Sequence, residues 1–259
     1  MSSFRILSVD SNAKLVKSAE FGFLSVGLSL AQAKTSGFEV CPWRSLGCTA
    51  VCVATSGLAS VYRGISLARR KKTRRLFTHT DEFLSRMAVE VAKADSLAES
   101  LGLSLHLRLN VFSDLDWRTD ARFRHSSGWS IFDKIAELRR IVTVCDYTKD
   151  YGRAVRELKS GAESGVAWRN IFSRSENNES QCIEFLAMGG KVAVPFLKQL
   201  PKYWHGGEVV NGDIHDLQFL HKPGAVIGLK AKGKARKCPG EFIVNPDMTT
   251  NQLYQLAFV

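Results

Sequence analysis

The segment from Thr80 to Val111 joins a helical pattern directly to a strand pattern, and this pair constrains the fold more than any other feature. Apolar residues recur at helical spacing from Thr80 to Gly102, a residue type that often ends helices. The next nine residues, LSLHLRLNV (103–111), alternate strictly between apolar and polar side chains, which predicts a β-strand. A helix followed so closely by a strand is typical of a β/α unit.

The same order of patterns recurs along the chain. Helical patterns lie at 130–140, 153–161 and 179–190, and strand patterns lie at 141–149, 166–173, 191–196 and 225–231. Such alternation favours right-handed crossovers and a parallel sheet. Central strands of an open doubly wound sheet are apolar on both faces, whereas strand 103–111 has a polar face. We therefore expect one α/β domain over residues 1–259, a partial or complete parallel β/α barrel of the TIM type, with the open doubly wound sheet as the alternative.

Polar side chains follow three of these strands. In a β/α barrel the chemistry lies at the carboxyl ends of the strands, so these side chains are candidate site residues. Ser, Asp and Asn at such positions also cap the helices that follow, which is the structural alternative. The candidates are Asn110, Ser113, Asp114 and Asp116, then Asp146, Tyr147, Thr148 and Lys149, then Ser173, Ser175, Glu176 and Asn177.

Three of the six cysteines lie within CPWRSLGCTAVC, residues 41–52. A turn at Gly47 followed by a helix would place Cys48 and Cys52 on one helical face, with Cys41 folded back over the turn. Three thiolates can then meet at one metal centre. Iron–sulfur ligation, with a four-iron cluster that keeps one iron open, is one interpretation. Zinc, which usually takes four ligands in paired short spacings, and unligated cysteines are the others.

The remaining cysteines are more scattered. Cys238 is the one plausible additional ligand, whereas Cys145 and Cys182 lie in apolar surroundings and are interpreted as structural. The segment NGDIHD (211–216) is interpreted first as a turn, with a polar clamp at a barrel mouth or a weak metal site as the functional alternative.

Cations outnumber acidic residues, with 36 Lys and Arg against 25 Asp and Glu, and much of the excess is local. A polyanion such as nucleic acid is a natural partner for a basic run, and a solvated basic helix end is the alternative. The run RRKKTRR contains Arg69, Arg70, Lys71, Lys72, Arg74 and Arg75. A second basic stretch, GLKAKGKARK (228–237), can extend the same surface.

No stretch reaches the roughly 18 uninterrupted apolar residues of a membrane span. The first residues, MSSFRILSVDSNAKL, lack the layout of a signal peptide. We therefore expect a cytoplasmic protein with no membrane partner. In a reducing compartment, clustered cysteines favour metal or redox roles over disulfides.

Short motifs in a fixed order along nearly the whole chain resemble the gene product 88 family of phage and plasmid proteins. They are NAKL (12–15), CPWRSLGCTAVC (41–52), ARRKKTRRLF (68–77), LRLNVFSDLDW (107–117), DYTK (146–149), SRSENN (173–178), GGKVAVPF (189–196), NGDIHDLQFL (211–220) and GLKAKGKA (228–235). The resemblance implies that the domain is one unit and, for a phage gene, that it works in the host cytoplasm. It implies no particular activity.

A looser likeness is to radical S-adenosylmethionine (SAM) enzymes, which are partial β/α barrels. Three clustered cysteines in those enzymes hold a four-iron cluster whose fourth iron binds the methionine part of the cofactor. Their cysteines are separated by three and two residues, whereas those of this chain are separated by six and three. The likeness implies that strand-end residues bind the cofactor or substrate: Arg108, Asn110, Ser113, Asp114, Asp146, Tyr147, Lys149, Ser175 and Glu176.

Two functional hypotheses follow from these patterns. The first is an iron–sulfur enzyme, with SAM as a candidate cofactor, that acts on nucleic acid or a nucleotide. The second is a non-catalytic nucleic-acid-binding protein whose metal serves folding alone.

Overall fold

Parallel strands and the helices that connect them form most of the structure, a computed structural model that describes residues 4–9, 17–57, 61–138, 140–163, 165–237 and 240–246. The α-helices in these ranges are α1 (Leu46–Ala50), α2 (Arg63–Thr78), α3 (Thr80–Ser100), α4 (Ile131–Ala136), α5 (Tyr151–Ser160) and α6 (Glu179–Ala187). The strands are β1 (Leu7–Ser8), β2 (Phe23–Leu28), β3 (Ser104–Arg108), β4 (Val142–Val144), β5 (Tyr147–Thr148), β6 (Ala162–Glu163), β7 (Val166–Trp168), β8 (Ile171–Ser173), β9 (Val192–Phe196), β10 (Tyr203–Trp204), β11 (Gly207–Asn211) and β12 (Val226–Lys230).

These strands form two six-stranded sheets that are mostly parallel. The first has the order β1-β2-β3-β4-β7-β6, and its two edge strands pair in the antiparallel sense. The second has the order β10-β11-β12-β9-β8-β5, with β10 antiparallel at one edge. The expectation of a mixed α/β fold with parallel strands is therefore confirmed.

Two chain segments pass from one sheet into the other. Only Cys145 and Asp146 separate β4 from β5, and only Arg169 and Asn170 separate β7 from β8. At this crossing the Asp146 N–H donates to Asn170 Oδ1 at 2.9 Å, and the Ile171 N–H donates to the Asp146 carbonyl at 2.8 Å. The segments 142–148 and 166–173 therefore connect the two sheets side by side.

Helix α3 and strand β3 form as predicted, but both are shorter than the sequence patterns. Helix α3 ends before Gly102, which has a φ of +65° that suits a glycine. Strand β3 covers only Ser104–Arg108, and on its polar face Ser104 is exposed, His106 is buried and Arg108 is partly buried. His106 is fully buried and shares a hydrogen bond of 2.8 Å with Ser25 Oγ.

Other predicted limits also change. The helix predicted over 130–140 ends at Ala136, and the strands predicted over 141–149 and 166–173 are each interrupted where they change sheet. Strands β1, β2, β6, β10 and β11 were not predicted.

Each sheet packs against its own apolar core. Helix α3 packs Phe83 and Met87 against the first sheet, and α6 packs Phe185 against the second. A third apolar set holds Cys145 and Ile227, with Phe219 packed against it.

The segment between β11 and β12 returns to the first sheet. The Phe219 ring centroid lies 5.2 Å from that of Phe23, at the start of β2, and 5.3 Å from that of His106 on β3. Residues after β11 therefore fill the space beside the polar face of β3. Among the described helices, none has both the length and the apolar character needed to cross a membrane.

Candidate functional site

A cavity of about 420 Å³ opens at the carboxyl ends of the parallel strands. Its wall takes residues from the ends of β3, β5, β8 and β12 and from the cysteine segment 41–52. The lining residues are Cys41, Arg44, Cys48, Val51, Cys52, Val53, Arg108, Asn110, Val111, Phe112, Ser113, Asp114, Tyr147, Lys149, Ser173, Asp213, Asp216, Leu229, Lys230, Lys232 and Phe242. All three clustered cysteines therefore face the cavity that the strand ends enclose.

The three cysteines reach the cavity from different local structures. Cys41 precedes the turn, and its Sγ–H donates to the Phe112 carbonyl at 3.4 Å. Cys48 lies within α1, but this helix ends at Ala50, so the expected helical face shared by Cys48 and Cys52 is wrong. Cys52 has φ −53° and ψ 124°, which turns the chain away from the helix axis.

Glu176 holds the turn before α1 in place. Its carboxylate accepts from Ser45 Oγ–H at 2.7 Å and from the Gly47 N–H at 2.8 Å. Ser45 in turn caps α1 by accepting from the Cys48 N–H at 3.1 Å. At position 47 an added Cβ would lie 2.5 Å from the Cβ of Phe242, so the close approach requires glycine. Hydrogen bonds to Glu176 therefore hold the turn, and Cys48 with it, against the segment that follows β8.

Burial keeps two of these thiols protonated. It raises the pKa of Cys41 to about 12. Burial also raises the pKa of Cys52, while the nearby cations Lys149 and Arg69 act in the opposite direction. A metal that binds these sulfurs has to displace protons from them.

The three thiols share a cavity without meeting at one point. Among the described residues, no group of three or more His, Cys, Asp or Glu side chains is arranged to hold a metal ion. Around a single zinc ion, with Zn–S bonds of about 2.3 Å, ligand sulfurs lie only roughly 4 Å apart. The predicted fourth ligand, Cys238, lies outside the described residues.

An ion pair forms one wall of the cavity. Arg108, the last residue of β3, donates from Nη1 to Asp216 Oδ2 at 2.7 Å. The guanidinium carbon of Arg108 lies 4.8 Å from the centroid of the Tyr147 ring. Burial lowers the pKa of Arg108, but Asp216 outweighs it, so the pKa stays above its usual range and the arginine is charged.

A sequence model of gene product 88 matches residues 5–241. The chain belongs to the gene product 88 family. Comparison with curated proteins and with solved structures gives no match.

In this gene product 88 chain, several predicted site residues are joined by hydrogen bonds in and beside the cavity wall. Asn110 donates from its N–H to Asp146 Oδ1 at 2.8 Å and from Nδ2 to Asp146 Oδ2 at 3.0 Å. The Asn110 Oδ1 accepts from Ser113 Oγ–H at 2.8 Å and from the Leu115 N–H at 2.9 Å. These bonds fix the loop that follows β3.

A buried arginine on α5 ties this loop to the helix. Arg153 Nη1 donates to Asp114 Oδ1 at 3.1 Å, and Arg153 also lies 3.8 Å from Asp146 and 3.4 Å from Glu157. Burial raises the pKa of Glu157 to about 7, although Arg153 and Arg156 oppose the shift. Three carboxyl groups around one guanidinium favour a protonated Glu157 near neutral pH.

The nine residues that the radical SAM likeness assigns to cofactor or substrate binding therefore divide into two sets, and the further strand-end candidate Ser173 also lines the cavity. Arg108, Asn110, Ser113, Asp114, Tyr147 and Lys149 line the cavity. The other three have supporting positions: Asp146 lies beneath Asn110, Ser175 is held within its own turn by Asn177 and Asn178, and Glu176 holds the cysteine turn.

The gene product 88 cavity also has wall residues that the sequence patterns gave only as an alternative or did not name. Asp213 and Asp216, interpreted first as turn residues, line the cavity, as the polar-clamp alternative requires. Phe112 and Phe242 supply aromatic walls. Phe112 follows a predicted strand exit and could have been proposed from that signal, whereas nothing in the local sequence points to Phe242.

The basic run of this family member lies on α2 and mostly contacts its own chain. Arg69 Nη1 donates to the Ala54 carbonyl at 2.8 Å, and its guanidinium carbon lies 4.1 Å from the Phe112 ring centroid. Lys72 Nζ donates to the Ile6 carbonyl at 2.5 Å, and burial lowers the pKa of this lysine to about 8. Both cations therefore stabilise the fold.

The rest of the run is divided between the protein and solvent. Arg74 Nε donates to the Ser36 carbonyl at 2.9 Å, and Arg75 pairs with Glu82. Arg70 and Lys71 are exposed and make no hydrogen bond or ion pair with another described residue. Two of the six cations of the run are therefore unengaged within the described chain.

Proposed function

We propose that this gene product 88 protein is an iron–sulfur enzyme that binds a small molecule beside its cluster. The single observation that carries the proposal is that Cys41, Cys48 and Cys52 line the same cavity as the polar strand ends Arg108 and Lys149. Thiols alone would suit a structural metal. Thiols beside polar side chains in a cavity of about 420 Å³ suit a metal that works on a ligand.

The donor set fits a cluster better than a single ion. Three thiols around one cavity supply the soft ligands that iron–sulfur clusters take. Among the described residues, no group of three or more His, Cys, Asp or Glu side chains is arranged to hold a metal ion, so the proposal rests on the cavity that the three thiols share. Ligands of a cluster surround several metal ions, so their sulfurs lie further apart than those around one ion. Cys41, Cys48 and Cys52 would hold the cluster and leave one iron open to the cavity.

The fold supports the same reading if the two sheets form one curved wall. Segments 142–148 and 166–173 belong to both sheets, and the residues after β11 return to β2 and β3. We propose that this wall is a partial β/α barrel with the cavity at the carboxyl ends of its strands, where such barrels carry their sites.

A cluster with an open iron supplies an electron and a coordination position when it is bound. The chain supplies the rest of the site. Glu176 fixes the cysteine turn, Arg108 and Asp216 offer a charged pair on one wall, and apolar side chains such as Val53 and Leu229 limit the water that enters. SAM is the cofactor that we propose for the ligand position, and a nucleotide or nucleic acid is the proposed substrate class.

Metal analysis of protein prepared without oxygen tests the cluster. We expect iron and sulfide in the protein, a brown colour, and loss of both when Cys41, Cys48 and Cys52 are each replaced by Ala. Cys182→Ala is the matched control, because this buried thiol on α6 does not line the cavity. Colourless, iron-free protein that folds normally would refute the cluster.

The SAM assignment has its own test. We expect SAM to change the electron paramagnetic resonance spectrum of the reduced, iron-loaded protein, and the Arg108→Met variant to weaken that response. An unchanged spectrum at saturating SAM would remove the cofactor and leave the cluster.

A second candidate function is nucleic-acid binding without catalysis. It is favoured by the exposed Arg70 and Lys71 together with the second basic stretch, in which Gly233 lies close to Ser56, four residues after the cysteine segment. Backbone phosphates would pair with these cations, and affinity would fall steeply with salt.

DNA binding at low and high salt tests this candidate. We expect Arg70→Gln with Lys71→Gln to weaken binding and to reduce its salt dependence. Lys93→Gln with Lys159→Gln removes the same charge from exposed positions on α3 and α5 and serves as the control. Equal affinity of both double variants would exclude a role for the α2 cations.

The described cysteines are all free thiols. Free thiols are typical of a reducing compartment, so we propose that the protein works in the cytoplasm.

A further inference from the structure

Apart from the three thiols, the charged side chains of the cavity do not balance. Its lining holds five cations and three carboxylates. The cations are Arg44, Arg108, Lys149, Lys230 and Lys232, and the carboxylates are Asp114, Asp213 and Asp216. The excess of positive charge faces a wall that is otherwise mostly apolar.

Each carboxylate already has a cationic partner. Asp216 pairs with Arg108 at 2.7 Å, and Asp213 pairs with Lys232 at 2.6 Å. Asp114 pairs with the buried Arg153 at 3.1 Å, from outside the cavity. The cavity acids are therefore not available to neutralise a further cation.

One of the remaining cations is neutralised as well, and two are not. Arg44 pairs with Glu39. Lys149 and Lys230 have ammonium groups with no hydrogen bond or ion pair to any described residue, although their backbone N–H groups donate to Asp114 and Asp213. These backbone bonds fix the positions of both lysines at the carboxyl ends of β5 and β12.

Lys149 is the better placed of the two. It is half-buried, whereas Lys230 is exposed at the rim. Its Nζ lies 5.7 Å from the centroid of the Phe242 ring, which forms part of the cavity wall. An ammonium group beside an aromatic ring in a partly enclosed cavity loses part of its hydration shell. A bound anion compensates for the interactions with water that are lost.

We propose that the cavity binds a small molecule that joins a flat ring to an acid group, with the acid group at Lys149. Lys230 adds positive charge at the rim, and the rings of Phe112 and Phe242 supply an apolar wall for the flat part of the ligand. The acid group is a phosphate or a carboxylate, since an ammonium group recognises both. This anion site rests on the proposed function, because it names the class of molecule bound beside the three thiols.

Binding of matched probes to the purified, iron-loaded protein tests the site. Adenosine offers the ring without an acid, AMP adds a phosphate, and S-adenosylhomocysteine adds an amino-acid carboxylate. By calorimetry we expect at least one acidic probe to bind about tenfold or more tightly than adenosine, because hydrogen bonds to charged groups contribute about 1.5–3 kcal/mol. The tighter of the two acidic probes identifies the source of the acid group.

The variants make the test specific to one side chain. Lys149→Met should lower the affinity for the acidic probe at least tenfold, and Lys149→Arg should restore most of it. Lys198→Met, at an exposed lysine that does not line the cavity, is the control. If neither acidic probe binds more tightly than adenosine, or if Lys149→Met leaves the affinity unchanged, the anion site is wrong.

Iron analysis of the same samples separates this outcome from that of the cluster. Iron-free protein that still prefers the acidic probe would refute the cluster and retain the anion site. Iron-loaded protein without that preference would do the reverse.

Discussion

Replacement of Glu176 by Ala should loosen the cysteine turn without touching a cysteine. Glu176 accepts two hydrogen bonds from that turn, from Ser45 Oγ–H and from the Gly47 N–H. A hydrogen bond to a charged group contributes about 1.5–3 kcal/mol, and partial exposure places each of these at the low end. We therefore expect the variant to lose about 3 kcal/mol of folding free energy, together with most of the iron of the proposed cluster.

The pH dependence of this loss has a defined sign. Burial alone would raise the pKa of Glu176, but its hydrogen bonds to backbone N–H groups and Ser45 hold the pKa below its ordinary value. A carboxyl with a depressed pKa stabilises the fold above its unfolded value of about 4.5, and this stabilisation disappears as pH falls through the folded pKa. The gap between wild type and Glu176→Ala should be full at pH 7 and narrow below about pH 4.

Denaturation by guanidinium chloride and iron analysis at pH 7 provide the assay. Glu176→Gln keeps an oxygen that can accept from the Gly47 N–H, so it should retain about half of the stability and more of the iron. Glu99→Ala, at an exposed position on α3, controls for the loss of an acid. Wild-type stability and wild-type iron content in Glu176→Ala would refute the reasoning, because the carboxylate would then hold nothing.

Three further perturbations test the support around the cavity and the core. The pKa of Glu157 is raised to about 7, so the native state binds a proton that the unfolded state has released, and stability falls as pH rises from about 4.5 to 7. Glu157→Gln should reduce this fall in the free energy of unfolding by up to about 3 kcal/mol, measured by urea denaturation from pH 4 to 8. An unchanged pH dependence in the variant would contradict the pKa shift. Gly47→Ala places a Cβ 2.5 Å from the Phe242 Cβ and should cost about 1–3 kcal/mol and lower the iron content, whereas Gly64→Ala, whose Cβ meets nothing within 4 Å, should be neutral or slightly stabilising. Phe83→Ala, in the fully buried face of α3, should cost about 3–5 kcal/mol by thermal or chemical unfolding, and a loss below 1 kcal/mol would show that the core re-forms around it.

Local periodicity predicted the elements whose neighbours are close in sequence. Helix α3 and strand β3 were found because a period near 3.6 changes to a period of two at Gly102. Strand β2 was missed because FLSVGL is buried on both faces from Leu24 to Leu28 and therefore shows no alternation. The polar face of β3 led to the prediction of a barrel with a binding cavity inside it, whereas the structure shows that Phe219 of the returning segment packs beside His106 on that face.

The site was predictable in part for the same reason. The strand-end rule predicted Asn110 and Lys149, and the radical SAM likeness added Arg108; all three line the cavity. It could not separate residues that line the cavity from residues that support it: Asn110 lines the cavity, whereas Asp146 accepts a hydrogen bond from Asn110 and does not line it. Phe242 was beyond such a rule, because its place on the wall depends on a contact with a turn nearly two hundred residues earlier.

For the basic run on α2, the sequence predicts more available surface charge than the structure shows. Counting cations in RRKKTRR indicates a basic surface, but partners decide whether a cation is available. Arg69 and Lys72 are used by backbone carbonyls of the same chain, at Ala54 and Ile6. The number of charges in a sequence therefore gives an upper bound on the surface that a polyanion can meet.

The bond between Glu176 and the cysteine turn also has a consequence for the order of events during synthesis. The thiols at 41–52 leave the ribosome early, but the carboxylate that fastens them lies 129 residues after Gly47, and the Phe242 wall comes later still. When the cysteines of a nascent chain emerge, Glu176 and Phe242 have not yet been synthesised, so the cysteine turn is not held and the cavity wall is incomplete. Domains complete their packing only as later segments emerge. For the proposed cluster, we therefore expect metal loading only after release of the finished chain, and we expect a stalled or truncated product to carry accessible thiols and no metal.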